Sequence, residues 1–198
     1  MLAIGRLFKT GKYDATRIVA LTGSEVKAPK YYKTLIGANV SMLTEGNLVK
    51  SEDKRIRIIS GNVLTGDKIE YSGYIGYYHT QVTVIEEGDR AQFFITKGWL
   101  SPGFHKLSKS RLFPSWIMPG KKYKLDTNTN GEERAFVVTG QYEEVFPFDI
   151  YPVQLLKSII VNDLDRMEQL GIYEVDPEDF ALCEFVCTSK INSQEIVL

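Results

Sequence analysis

Apolar residues recur along this chain with two different periods, and the change from one to the other falls near residue 145. Up to about residue 90 the apolar runs are short and bounded by glycine or polar breaks, the pattern of strands. Residues 17–21 form one such run, ended by Gly23. Residues 33–43 carry β-branched side chains around Gly37 and Ala38, and residues 55–59 alternate charge with isoleucine, the period-2 mark of a half-buried strand. Gly61 and Gly66 bracket the turn-rich stretch Asn62-Val63-Leu64-Thr65. Another strand is predicted over residues 81–85, ended by Glu86-Glu87-Gly88-Asp89. Residues 44–48 read as one short helical turn. The opening residues 2–8 read as a strand already inside a core, and residues 194–198 as a helix just begun, so both ends read as cuts in a longer polypeptide.

From residue 91 to 145 the pattern is broken by Pro102, Gly103, Pro114, Pro119 and Gly120, with strands predicted at residues 93–95 and 134–139. Beyond it the period becomes helical. Pro152 suits a first helical position, where its missing N–H leaves no bond unmade, and Val153, Leu156, Ile159 and Ile160 fall near one face. Asn162-Asp163 interrupts, a second helix carries Leu164, Met167 and Leu170, and Gly171 closes it. Asp176-Pro177-Glu178-Asp179 starts a third, and Asn192 with Glu195 forms a capping-box-like start for a fourth. The expected fold is therefore α+β. It has a β-rich segment over residues 1–90 containing a β-grasp type of module at about 32–85, a mainly β connecting region over 91–145, and a small helical tail over 146–198.

Composition narrows the function. At 43% hydrophobic and 25% charged, with a net charge of -1, the chain is ordinary for a folded domain and lacks the basic excess of a nucleic-acid binder. No stretch approaches the roughly 20 apolar residues of a membrane span, and residues 1–8 are too short for a signal peptide. Two cysteines, Cys183 and Cys187, are too few for a disulfide scaffold and fit a reducing compartment.

Several chemistries find no residues. No glycine-rich phosphate loop joins a strand to a helix, no HExxH pair is present, and no serine sits in a nucleophile elbow. Cys183 and Cys187 stand i, i+4 on the third helix, one face of which they share. A metal or cluster there needs four ligands, whereas two buried thiols serve as small hydrophobes. His79 and His105 are isolated and read as surface or hydrogen-bonded residues. Tyr71, Tyr74, Tyr77 and Tyr78 are able to stack on a flat ligand such as a quinone, and equally to fill strand faces and edges. Trp99 and Trp116 flank the Pro/Gly-rich loop, either pinning it to the core or anchoring an interface. Lys106, Lys109, Arg111, Lys121, Lys122 and Lys124 make a local basic stretch, read as a solvated surface or as a face for anionic lipid or an acidic partner.

A family resemblance rests on blocks in order along almost the whole chain. Ala3-Ile4-Gly5-Arg6-Leu7-Phe8-Lys9-Thr10-Gly11 and Arg17-Ile18-Val19-Ala20-Leu21 come first, then Gly37-Ala38-Asn39-Val40-Ser41, Ile59-Ser60-Gly61-Asn62-Val63-Leu64 and Val84-Ile85-Glu86-Glu87-Gly88. Glu133-Arg134-Ala135-Phe136, Pro147-Phe148-Asp149-Ile150, Gln154-Leu155-Leu156 and residues 179–187 follow. Together they resemble the C-terminal part of the A-subunit of the bacterial sodium-translocating NADH:quinone reductases, whose SLBB module is a soluble-ligand-binding β-grasp fold. The helical tail is also similar to the cluster-bearing helical ferredoxin domain of the C-subunit of the Rnf electron-transport complex. There the motif reads CxxCxxCxxxCP. Cys183 and Cys187 match its last two cysteines, while Pro177 and Phe180 stand at the first two and Thr188 replaces the closing proline. In the first motif Phe146-Pro147 stands where Cys-Pro would be.

The resemblance implies a peripheral subunit without catalytic residues or cofactors of its own. Flavins and the iron–sulfur centre are then expected in partner subunits, and Cys183 and Cys187 become vestigial cluster positions. It further implies docking to membrane subunits at the cytoplasmic face of the bacterial inner membrane. Two alternatives remain: a ligand- or quinone-binding module using Tyr71, Tyr74 and Tyr77, and an iron–sulfur electron carrier.

Overall fold

A computed structural model describes residues 2–49, 55–89, 100–109, 111, 113–135 and 140–198. The chain divides into two compact units, Met1–Asp89 with Leu125–Thr127, and Arg90–Lys124 with Asn128–Leu198. The fold is α+β, with the strands in the first unit and most of the helices in the second.

The first unit is a five-stranded mixed sheet in the order β2-β1-β5-β3-β4. Strand β1 (Thr16–Thr22) pairs antiparallel with β2 (Lys30–Leu35) and parallel with β5 (Gln81–Glu86). On its other side β5 pairs antiparallel with β3 (Ile56–Ser60), which pairs with the short β4 (Asp67–Ile69). One face of the sheet is buried. Val19, Leu21, Ile58, Val82 and Val84 alternate onto it, as the period of two requires. Helix α2 (Val40–Thr44) packs there through Val40 and Leu43, each worth about 1.5–3 kcal/mol on burial. The strands read at residues 17–21, 55–59 and 81–85 are therefore present within a residue at most ends.

The structure corrects three expectations in this unit. Residues 2–8 are not a buried strand: Leu2–Thr10 form helix α1, with no buried residue. A short apolar run carries either period, and Ile4, Leu7 and Phe8 have the helical one. The strand expected over residues 33–43 stops at Leu35. Asn39 then accepts the Ser41 N–H at 2.9 Å and starts α2, so the helix spans Val40–Thr44 and shares only Thr44 with the turn expected over residues 44–48. Strand β4 has three residues and no apolar alternation to betray it.

Across residues 100–135 no strand forms among the described residues. A 3-10 helix spans Pro114–Ile117, and only Asp126 makes an isolated bridge, to Glu86. The mainly β character expected of the connecting region is not found there, because its prolines and glycines interrupt every run. The strand predicted at residues 93–95 lies outside the described residues, as does most of that at 134–139; Arg134 and Ala135 are irregular.

In the second unit helix α3 (Pro152–Ile160) begins on its proline, and α4 (Leu164–Gln169) on Asp163, whose carboxylate accepts the Arg166 N–H at 3.2 Å. Gly171 sits at φ 89°, the left-handed region expected after a helix. A 3-10 turn at Pro177–Phe180 leads into α5 (Ala181–Val186), and Asp179 accepts the Asp176 N–H at 2.8 Å. Helix α6 (Ser193–Val197) starts where predicted, but without a reciprocal box. Asn192 donates to the Glu195 carboxylate at 2.6 Å, and Glu184 of α5 accepts the Gln194 N–H instead. Phe180, wholly buried, centres this core with Phe146, Leu155 and Leu156. Among the described residues no helix is long and apolar enough to cross a membrane.

Gly23 and Gly5 make opposite predictions. Gly23 holds φ 120°, and a Cβ there would collide with the Val84 carbonyl oxygen, which is backbone and cannot yield. Gly23→Ala should cost about 2–3 kcal/mol in urea unfolding. Gly5 lies in exposed α1 with open space around it, so Gly5→Ala should raise helicity and add about 0.5–1 kcal/mol locally.

Candidate functional site

The loop of residues 70–80 carries the tyrosines and is held at three points. Asn39, while capping α2, donates from Nδ2 to the Ser72 carbonyl at 2.8 Å, and the Val40 N–H donates to the Gly73 carbonyl at 2.9 Å. Ser60, buried at the end of β3, accepts the Gly76 N–H at 2.9 Å and shares a 2.8 Å hydrogen bond with His79 Nδ1. His79 is thus a half-buried staple for the loop, as its isolation in sequence suggested.

The tyrosines do not converge. Tyr71 borders a shallow groove of about 460 Å³ with Ile56, Ile58, Lys68 and Ile69. Tyr74 is exposed beside its bridge to Asn39. The neighbouring Tyr77 hydroxyl raises the Tyr13 pKa, and the Tyr77 ring packs edge-on against Tyr78 at 4.9 Å between centroids. Neither Tyr74 nor Tyr77 lines the groove.

A polar cluster that the sequence does not single out closes the other end of the sheet. Glu87, just past β5, has a side chain 12% exposed. It accepts from Arg57 Nε at 3.0 Å and from Arg57 Nη2 at 2.5 Å, a bidentate pair. Lys68 approaches it at 3.3 Å, and the Thr127 hydroxyl donates to it at 2.8 Å. That same hydroxyl accepts the Gly88 N–H at 2.7 Å. Arg57 above all holds the Glu87 carboxyl down to about 2, with Thr127 and Lys68 adding to it against the opposing effect of burial. In sequence Glu86-Glu87 shows only as a strand end. Thr127 lies far along the chain, and no local pattern pairs them.

The cysteines sit in the helical unit. Cys183 is 0% exposed on α5, and Cys187 is buried at its end. Cys183 Sγ lies 4.0 Å from the Tyr142 carbonyl oxygen, and Cys187 Sγ accepts the Ile191 N–H at 3.5 Å. Burial, then the nearby Glu143 charge and Cys187, push the Cys183 thiol up to about 12. Burial also raises Tyr142. A zinc or iron–sulfur site takes about four ligands, and these two thiols supply only two. Pro177 and Phe180 supply no donor at the two remaining motif positions. Among the described residues no three His, Cys, Asp or Glu side chains group to hold a metal ion. Trp116 is exposed, while Trp99 lies outside the described residues.

Residues 18–70 match the family described as the NQRA C-terminal domain. The chain is 44% identical over 191 residues to the Na(+)-translocating NADH-quinone reductase A-subunit of Hahella chejuensis, covering 96% of this chain and 41% of the relative. It is 42% identical over 198 residues to that of Rhodopirellula baltica, covering 100% and 42%. The counterpart from Neisseria meningitidis serogroup A is 44% identical over 191 residues, covering 96% and 41%. The chain therefore spans about two-fifths of the length of these relatives.

Two measurements test the geometry. Glu87 has a folded pKa below its ordinary 4.5, so its contribution is fully present above pH 4.5 and is lost as pH falls toward 2. Denaturation from pH 7 to 2 should show a decline on the order of 2–3 kcal/mol across that window, absent in Glu87→Gln. A thiol reagent at pH 8 should leave Cys183 unmodified in the folded protein and titrate both cysteines in guanidinium; fast native modification would contradict the burial described.

Proposed function

Because the chain belongs to the A-subunit family of the sodium-translocating NADH-quinone reductases, as the C-terminal region of that subunit, we propose that it is a peripheral docking scaffold without cofactors of its own. The complex it serves oxidises NADH, reduces quinone and exports sodium. The chain docks on the membrane subunits at the cytoplasmic face of the bacterial inner membrane, and the flavins and iron–sulfur centre reside in partner subunits. No residue of this chain is assigned a catalytic role.

The observation that carries this reading is the state of the two thiols. Ancestral cluster positions that had kept a redox role would present ionisable, convergent sulfurs. Here Cys183 and Cys187 fill a hydrophobic core beside Phe180 and Tyr142, and burial raises the Cys183 thiol pKa. A contribution to the quinone end is favoured by one feature, the open groove beside Tyr71, whose apolar floor of Ile56, Ile58 and Ile69 suits a flat ring.

The protein purified without oxygen should contain less than a tenth of an equivalent of iron and acid-labile sulfide (about the background level), with no visible absorbance. Stoichiometric iron would make it an electron carrier. A tagged chain should also retain the membrane subunits of the reductase from detergent extracts. A soluble quinone should bind saturably to the wild type and about tenfold more weakly to Tyr71→Ala, as loss of one stacked ring implies.

A further inference from the structure

The loop-rich lobe of the second unit has a composition unlike the rest of the chain. Residues 100–124 contain six Lys or Arg and no Asp or Glu, although acids outnumber bases 25 to 24 in the whole sequence. The lobe is folded rather than trailing. Ser115 Oγ accepts the Ser108 N–H at 2.9 Å and lies 3.2 Å from the Ser108 carbonyl, closing the loop on itself. Gly103 lies so close to the Phe113 ring that a Cβ would collide with it, and Lys106, buried, lies over the same ring while donating to Asn130. Lys121 donates to the Phe104 carbonyl at 2.5 Å, tying the two ends of the lobe together.

Around the buried Phe113, other apolar side chains of the lobe face outward. Phe104, Trp116 and Ile117 are 59%, 58% and 62% exposed. Cations stand beside these rings: the Arg111 guanidinium lies 5.8 Å from the Trp116 centroid and the Lys121 ammonium 5.5 Å from that of Tyr123. Lys109 and Lys122 are exposed as well, and among the described residues no ion pair engages Lys109, Arg111, Lys121 or Lys122.

The geometry points to this lobe as a docking surface for an anionic lipid bilayer, with Trp116, Phe104 and Ile117 seated among the headgroups and the lysines facing lipid phosphates. Charge complementarity selects the occupant: a segment with six cations and no acids meets a surface with anions only. The kind of cation separates lipid from protein. Protein interface cores favour Arg and are depleted in Lys, whereas four of the five exposed cations here, Lys109, Lys121, Lys122 and Lys124, are lysines. Trp116 is exposed, and Trp is enriched at the membrane–water interface. Every one of these features lies within the lobe itself, so the lipid surface stands apart from the family placement.

Flotation of the 198-residue chain with phosphatidylcholine vesicles, with and without phosphatidylglycerol, tests it. Binding is expected to the phosphatidylglycerol vesicles alone and to decline as salt screens the charges. Trp99→Phe leaves Trp116 as the single indole, and its emission should shift to the blue on binding. Lys122→Gln, at an exposed site, should weaken partitioning about fivefold, the worth of one surface cation near an anionic membrane. Equal binding to both vesicles, or none at low salt, overturns the proposal. So does retention on a polyglutamate resin without vesicle binding, which would assign the lobe to an acidic protein partner.

Discussion

The first unit depends on strand β5. It supplies Val82 and Val84, both fully shielded, and it is the strand through which the two halves of the sheet meet, parallel to β1 and antiparallel to β3. Close approaches are made to it from both sides. Gly23 passes against the Val84 carbonyl, where no side chain fits, and the Thr83 hydroxyl donates to the Gly61 carbonyl at 2.8 Å. Glu87 then continues the strand into the clasp with Arg57, Lys68 and Thr127. A parallel pair cannot be closed by a tight turn. The chain between β1 and β5 must therefore make a long connection, and that connection supplies β2, α2, β3, β4 and the tyrosine loop.

Glu87 shows how charge can be kept beside such a strand. A carboxylate 12% exposed would be costly alone, but three donors converge on it, and the bidentate arginine sets its ionisation. Thr127 comes from Leu125–Thr127, which belong to the first unit although the residues on either side belong to the second. The centre of the helical unit is Phe180 against Phe146, with two thiols as spacers, and part of its polar needs is met locally at helix ends.

What the sequence discloses follows the range of the forces involved. Strands at residues 17–21, 55–59 and 81–85 and the helices at Pro152, Asp163 and Asp176 are legible because alternation, proline and caps act over a few residues. Helix α1 reads as a strand because an apolar run of seven residues carries no unambiguous period, and no core contact decides it. A strand reading across Asn39 overlooks that an Asn before Val-Ser-Met-Leu is a cap. The clasp is illegible for a different reason: Glu87 and Thr127 are forty residues apart, and nothing local marks either. The burial of Cys183 and Cys187 is foreseeable from residue type. The scattering of Tyr71, Tyr74 and Tyr77 is not, since which way each ring of a loop turns is set by backbone bonds to Asn39 and Ser60.

Those bonds bear on what the exposed rings are for. Tyr74, Tyr77 and Tyr78 project from a loop tied down by Asn39, Ser60 and His79, and Phe104 and Trp116 from a lobe closed by Ser115 and Lys121. A loop already ordered loses little further entropy when its rings meet a partner, and tyrosine and tryptophan have few rotamers to lose. Reactive centres have the opposite needs: convergent polar groups and shifted ionisation inside a concavity. Here the strongest shifts toward neutrality lie in a packed core, at Tyr142 and Cys183, and the strongest toward charge lies in a structural clasp, at Glu87. Among the described residues, exposed aromatic rings sit on ordered loops, and the groups with the largest shifts are committed to packing.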